Sequence, residues 1–281
     1  MQGMNEFYSV REIIRMIEPA GEARAKLDIR ALGALSFLGG VFVSLGAIFS
    51  TIVTTGISIG FGLTQVLCGV AFSLGLVLVA VTGTDLFMSD NSTTMAFFSR
   101  KIGMLQLIRY LAAVYFFNLL GALCTVLVMV VSDCFLLGNN SAGETALAIA
   151  GAKVNMGFHV AFVRGILGSI LISLAVWLSY NAKTLTGCIM AIVFPASAFI
   201  ACGFEYSIAN MYLIPAGIVC NQLGLAHTGN PLMYSQLNIF GFLNNIIPVT
   251  LGNICGAGLL VGAFYYTALS KVGSDPYNHG L

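Results

Sequence analysis

The chain has 281 residues, of which 58% are apolar and only 8% charged, with a net charge of +1 at neutral pH. A soluble domain carries roughly 25% charged residues, so a water-soluble globule is excluded. The near-neutral balance also gives nucleic acid or an acidic partner no purchase, and the partner that remains is the lipid bilayer.

Residues 1–30 carry mixed charge and lack an apolar core before a cleavage site, so they do not read as a signal peptide. Within "YSVREIIRMIEPAGEARAKLD", helical spacing puts Val10, Ile13, Ile14 and Ile17 on one face. Arg11, Glu12, Arg15 and Glu18 take the other flank, and Pro19 is expected to turn the chain. This predicts an amphipathic helix in the cytoplasmic interface, or one docked on its own or a neighbouring subunit.

Long continuous apolar runs follow, which favour helices over the short alternating strands of a barrel. Six spans are predicted, at about 31–54, 61–88, 108–132, 158–180, 185–221 and 243–270. Residues 31–270 then form the membrane domain and 271–281 a tail. Every Lys and Arg except Lys153 and Arg164 falls on the side of the N-terminus, which places both termini in the cytoplasm. The cysteines (Cys68, Cys124, Cys134, Cys188, Cys202, Cys220, Cys255) are scattered through apolar runs and read as small hydrophobes. Gly39-Gly40, Gly56-Gly60-Gly62 and Gly252-Gly256 read as sites of close helix packing.

Two spans are interrupted in matching places. Span 2 holds Thr82-Gly83-Thr84-Asp85 and span 5 holds Cys202-Gly203-Phe204-Glu205, with Tyr206, Ser207 and Asn210 following. A charge at the centre of an isolated span costs about 2.5–3.5 kcal/mol on insertion scales. Broken backbone survives at that depth only where protein or a watery cavity satisfies it. Asp85 and Glu205 are therefore expected to face inward and bond freed amides or hydroxyls, holding the breaks in shape. Interrupted spans at corresponding positions of two inverted three-span halves point to a central permeation site.

The residues carrying these breaks resemble a known family. "VTGTDLFMS" (81–89) resembles the first signature of the formate/nitrite transporter family, and "RGILGSILISLAVW" (164–177) its second. "GFEYSIANMYLIP" (203–215) is similar to its broken fifth helix. The resemblance covers nearly the whole chain. It implies an all-α membrane protein of six helices, an aquaporin-like inverted 3+3 repeat with the second and fifth helices broken. It also implies a homopentamer, one pore per protomer, in a prokaryotic inner (plasma) membrane. The implied solutes are small monovalent anions of weak acids: formate, nitrite, hydrosulfide or short-chain carboxylates. No cofactor or metal is implied.

By the same resemblance, the loop from Gly83 to Asp90 separates the halves of span 2, and Leu86 and Phe87 line apolar constrictions. Phe72, Leu76, Ile172 and Phe199 fall at other constriction positions. Lys153 falls at an outer-vestibule lysine, Glu205 beside the central polar position, and Thr84 and Asn210 on the pathway. Three positions around the pore centre depart from the pattern. Tyr206 stands where the family usually has histidine, Ser169 where it has asparagine, and Met88 where it has a small polar residue.

An apolar throat opposes ions because a charge leaving water loses its hydration. Lys153 is expected to draw an anion inward, and the low-dielectric throat to raise the acid's pKa so that the neutral form passes. Histidine titrates near pH about 6.5, tyrosine near about 10, so Tyr206 stays neutral. Tyr206 and Ser169 each bring one hydroxyl donor to a solute, and Met88 an apolar plug. A central site more apolar than the family norm, with a shallower proton response, is the expectation; a neutral-solute channel or a non-conducting sensor are the alternatives.

The remaining motifs are weak. An intramembrane aspartyl protease needs two span-embedded aspartates, and Asp133 sits at a helix end. Asn230-Pro231-Leu232 is a single poor echo of the paired aquaporin motif. His159 is either a vestibule helper or a packing or surface residue, His227 and His279 are solvated, and Arg164 reads as a hydrogen bonder between helices or subunits.

Overall fold

The structure, a computed structural model, describes residues 8, 10–88, 92–225 and 234–263. Among the described residues there is no strand. Helix α1 (Val10–Ala25) lies ahead of α2 (Ile29–Thr54) and α3 (Phe61–Thr82). A short α4 (Ser92–Phe98), α5 (Met104–Val131) and α6 (Ser141–Val154) follow. The chain continues as α7 (Phe158–Asn181), α8 (Leu185–Ala201), α9 (Ser207–Gln222) and α10 (Ile239–Asn253), which runs on as a π-helical segment, Ile254–Ala263.

Among the described residues five helices are long and apolar enough to cross a bilayer: Ile29–Thr54, Phe61–Thr82, Met104–Val131, Phe158–Asn181 and Ile239–Ala263. Helix α8, with 17 residues, is apolar but shorter. Leu105, Phe61, Val131 and Phe240 stand on the outside, as side chains do that meet lipid or a neighbouring subunit rather than water.

Small residues decide which helices touch. Helix α2 packs on α3 and α5, α7 packs on α8 and α10, and α3 faces α8. A Cβ at Gly40 would stand 2.1 Å from the Asn118 carbonyl oxygen, and one at Gly252 2.2 Å from that of Phe162. Gly39-Gly40 and Gly252-Gly256 are thus close-packing glycines, as read from the sequence. Gly56, Gly60 and Gly62 are not. A Cβ at any of them would meet nothing within 4 Å. Gly56 and Gly60 take φ of 69° and 89°, so they serve the turn between α2 and α3.

Other expectations are corrected. Pro19 does not turn the chain, because α1 runs through it to Ala25. Pro19 is exposed, so its missing amide leaves a carbonyl that water can reach. Helix α5 begins at Met104, four residues ahead of the expected start of the third span. Neither α4 nor α6 was foreseen; both are too short to show as spans. Helix α1 docks on its own chain: Ile13 and Ile17 form a buried cluster with Met95 and Trp177. Glu18 of α1 also pairs with Lys101 at 3.3 Å and accepts from Ser99. The side chains of Val10, Arg11 and Ile14, the stretch with Asp90, the stretch with His227 and Asn230, and the tail after Ala263 lie outside the described residues.

Candidate functional site

Both breaks are made the same way. Helix α3 ends at Thr82, directly before Gly83, whose φ of 70° lies in the left-handed region, and α8 ends at Ala201, two residues before Gly203, with φ of 67°. The Thr84 amide then bonds back to the Val79 carbonyl at 3.2 Å, and the Phe204 amide to that of Phe199 at 3.1 Å. Each is a glycine helix stop whose amide satisfies a carbonyl left over in the last turn. The acid follows two residues after the glycine in both cases, which is why "Gly, any, acidic" marks the site.

An asparagine from another helix grips each break. Asn118 of α5 donates to the Ser36 carbonyl (2.6 Å) and the Asp85 carbonyl (3.0 Å) and accepts from the Phe87 amide (3.0 Å). Asn253 of α10 donates to the Gly165 carbonyl (2.8 Å) and the Glu205 carbonyl (3.2 Å) and accepts from the Ser207 amide (2.8 Å). A Cβ at Gly39 would stand 2.3 Å from the Asp85 oxygen, and one at Gly168 2.4 Å from the Glu205 oxygen. Only glycine leaves room for these carbonyls.

The acids face inward, as expected, but both also meet cations. Asp85 accepts from the Tyr110 hydroxyl at 2.8 Å and pairs with Arg24 of α1 at 3.2 Å. Glu205 takes Lys153 on both oxygens, at 2.8 and 2.9 Å. The Asn210 amide donates to Glu205 (2.6 Å) and to Asn245 (2.7 Å), and Asn245 donates back to the Lys153 carbonyl (3.0 Å). Lys153, expected to draw an anion inward, thus has the Glu205 carboxylate already beside it. It is one half of an ion pair, and the field of a pair falls off faster than that of a lone charge.

Between the acids lies an apolar waist. Leu86, Phe199 and Tyr206 are at most 3% exposed. The Phe72 and Phe199 rings stand 5.9 Å apart, and Phe199 meets Tyr206 edge-on at 6.5 Å. The Phe87 ring packs on Tyr115 at 4.8 Å, so it is the Phe87 carbonyl that meets Tyr206. A cavity of about 290 Å³ opens on one side of the waist, with Leu76, Thr84, Leu86 and Ile172 in its wall beside Arg24 and Ser179.

The three unusual central residues are all buried. The Tyr206 hydroxyl donates to the Phe87 carbonyl, and that of Ser169 to the Ile166 carbonyl at 3.1 Å. Both hydroxyls expected to face a solute are thus engaged by backbone. Met88 takes φ of 56°, unusual for a side chain of its size, and its carbonyl accepts from Ser173 at 3.4 Å. His159 is exposed, and the Arg164 carbonyl accepts from the Glu205 amide at 3.1 Å.

Arg24, Tyr110, Asn118, Asn245 and Asn253 went unread in the sequence. A signal was present for two of them: Asn-x-x-Gly recurs within apolar spans at 118–121 and 253–256. A lone amide at bilayer depth calls for a partner.

Comparison with known proteins places this geometry. The formate channel FocA of Escherichia coli (strain K12) is 39% identical over 259 residues, covering 90% of this chain and 91% of FocA. A solved pentameric formate channel with formate bound is 35% identical with a TM-score of 0.78, over 86% of this chain and 98% of that one. An FNT family ion channel shares the fold at a TM-score of 0.80 and 24% identity, over 92% of this chain and 99% of that one. The profile of the Formate/nitrite transporter family matches residues 11–267, and with the signatures, the twin breaks and these relatives in place, the chain belongs to that family.

Proposed function

We propose that this protein is a membrane channel for small monovalent weak-acid anions, formate foremost, with nitrite, hydrosulfide and short-chain carboxylates as further solutes. The observation that carries it is the waist: a run of buried apolar and aromatic side chains between two buried acids, reached from one side by a cavity. A charge entering such a throat loses hydration, so passage as the neutral acid is favoured. The names and coverage of the relatives support formate.

In this reading α8 and α9 are the two halves of one broken span, and α3 is continued by α4 in the same way. The chain then has six spans in two inverted halves. The correspondence of the glycine stops and asparagine grips supports that repeat. Leu76, Leu86 and Ile172 form one constriction, Phe72 and Phe199 the other, with Phe87, Met88, Ser169 and Tyr206 between them. Thr84 lies at the cavity, and Lys153, Glu205 and Asn210 flank the opposite entrance. The distribution of lysine and arginine supports cytoplasmic termini in an inner membrane, with residues 1–30 at the interface, 31–270 the channel and 271–281 a tail. The pentamer named for the structural neighbour supports a homopentamer.

A second reading, a non-conducting form, is favoured by one feature: the Tyr206 hydroxyl bridges the waist to the Phe87 carbonyl. Uptake of labelled formate into proteoliposomes at pH 5.5 and 7.5 separates the two. The channel reading expects saturable uptake that rises at the lower pH with the neutral acid. Tyr206→His is expected to steepen that pH response by adding a titratable group near neutral pH. Absence of flux from assembled wild-type protein at both pH values favours the non-conducting form.

A further inference from the structure

The two asparagine grips are alike in more than their bonds. Each side chain is fully buried and spends its amide on two carbonyls, one in a packed helix and one belonging to the acid of the break. Each carbonyl oxygen of Asn118 and Asn253 accepts from the amide two residues after the acid. The glycine three residues on also matches. A Cβ at Gly121 would stand 2.2 Å from the Phe37 oxygen, and one at Gly256 2.3 Å from the Ile166 oxygen. Phe37 and Ile166 each directly follow the residue whose carbonyl the asparagine bonds. The Asn-x-x-Gly unit thus presses one helix onto another and hands its amide to the break.

We propose that Asn118 and Asn253 are paired positioning residues that set the bore of the waist from opposite sides. Asn118 spaces the Asp85 carbonyl from the Phe87 amide and so places Leu86, the side chain between them in the chain. It also fixes the peptide whose carbonyl receives Tyr206. Asn253 spans Glu205 to Ser207 and so places Tyr206. A side chain that must donate to two carbonyls and accept from one amide is met by asparagine at this reach, and by neither leucine nor aspartate. Buried backbone groups left without these partners seek others, and the loop moves to find them.

The test uses the full chain as its assembled protein, with Asn118→Leu and Asn253→Leu. Hydrogen exchange should rise by at least about 10-fold at the Phe87 amide in the first variant and at the Ser207 amide in the second, each leaving the other break unchanged. In proteoliposomes, the ratio of formate to propionate flux should fall by about 10-fold in each, because the spacing that admits the smaller acid is lost. Where a leucine variant does not assemble, Asn118→Ser and Asn253→Ser carry the same two readouts. The proposal is overturned if both amides keep wild-type exchange, if exchange rises throughout the helices, or if the flux ratio is unchanged. The flux arm rests on the channel reading. A wild type that passes neither acid defeats that reading, and the exchange arm then decides the positioning role alone.

Discussion

At the first break Asp85 meets Arg24, a residue of the docked helix α1, and a cavity of about 290 Å³ opens beside the pair. At the second break Glu205 meets Lys153 inside a ring closed by Asn210 and Asn245. The backbone of the two breaks is the same: a left-handed glycine, an acid two residues on, an asparagine grip. The surroundings of the acids are not. Arg24 is 23% exposed and comes from a helix outside the bundle, whereas Lys153 is 15% exposed and fixed by several partners. The lesson is that one backbone device serves both ends while the electrostatics are assigned separately. One end has a cation that leaves if α1 leaves; the other has a cation that belongs to the bundle.

That contrast can be broken by removing each acid. Glu205→Leu strands Lys153 in a nearly dry ring, and losing one partner of a buried pair costs about 3 kcal/mol or more. Thermal unfolding of the detergent-solubilised protein should show the loss, and Lys153→Leu on top should recover part of it. A Glu205→Leu variant as stable as wild type would remove the distinction between the ends. Asp85→Asn keeps an acceptor for Tyr110 but removes the carboxylate charge from beside Arg24, which water already reaches, so about 1 kcal/mol is expected. That loss should be read locally, as faster exchange or proteolysis of α1 with the bundle unchanged. If Asp85→Asn destabilises more than Glu205→Leu, the assignment of the two ends is reversed.

The weakest contact sharpens the picture of α1. Lys26 bonds Glu22 at 2.6 Å on its exposed side, and that bond with the lysine charge holds the Glu22 carboxyl below its usual range. A depressed folded-state pKa stabilises above the ordinary carboxylate pKa, and that support is lost as pH falls through the folded value. Lys26→Ala should therefore raise the Glu22 titration midpoint, read by carboxylate chemical shift, with no measurable change in unfolding or transport at neutral pH. A midpoint that stays put would mean another cation holds Glu22.

Much of the architecture was open to reading from residues alone, because it rests on local terms. Apolar length against bilayer thickness marks the spans, and a glycine two residues before an acid marks each break. Phe72, Leu86, Ile172 and Phe199, placed by the family resemblance rather than by spacing, are buried. Less could be said of what each polar group touches. Lys153, expected to draw an anion inward, is held in an ion pair. Tyr206 and Ser169 were read as donors to a solute and donate to backbone. Two of these partners lie far away in the chain: 52 residues separate Lys153 from Glu205, and 119 separate Tyr206 from Phe87, whereas Ser169 turns back three residues to Ile166.

Composition and spacing were thus enough to place this chain in a bilayer, to break two of its helices and to put an acid at each break. Turn geometry and hydration depend on neighbours within a few residues. The choice of Arg24 for Asp85, of Lys153 for Glu205, and of Asn118 and Asn253 as grips came with the packed helices. It depends on which helices lie side by side, and glycines such as Gly39, Gly40, Gly168 and Gly252 settle that by letting backbones approach to contact. Until those surfaces meet, a buried charge or amide has several candidate partners and nothing local to select among them.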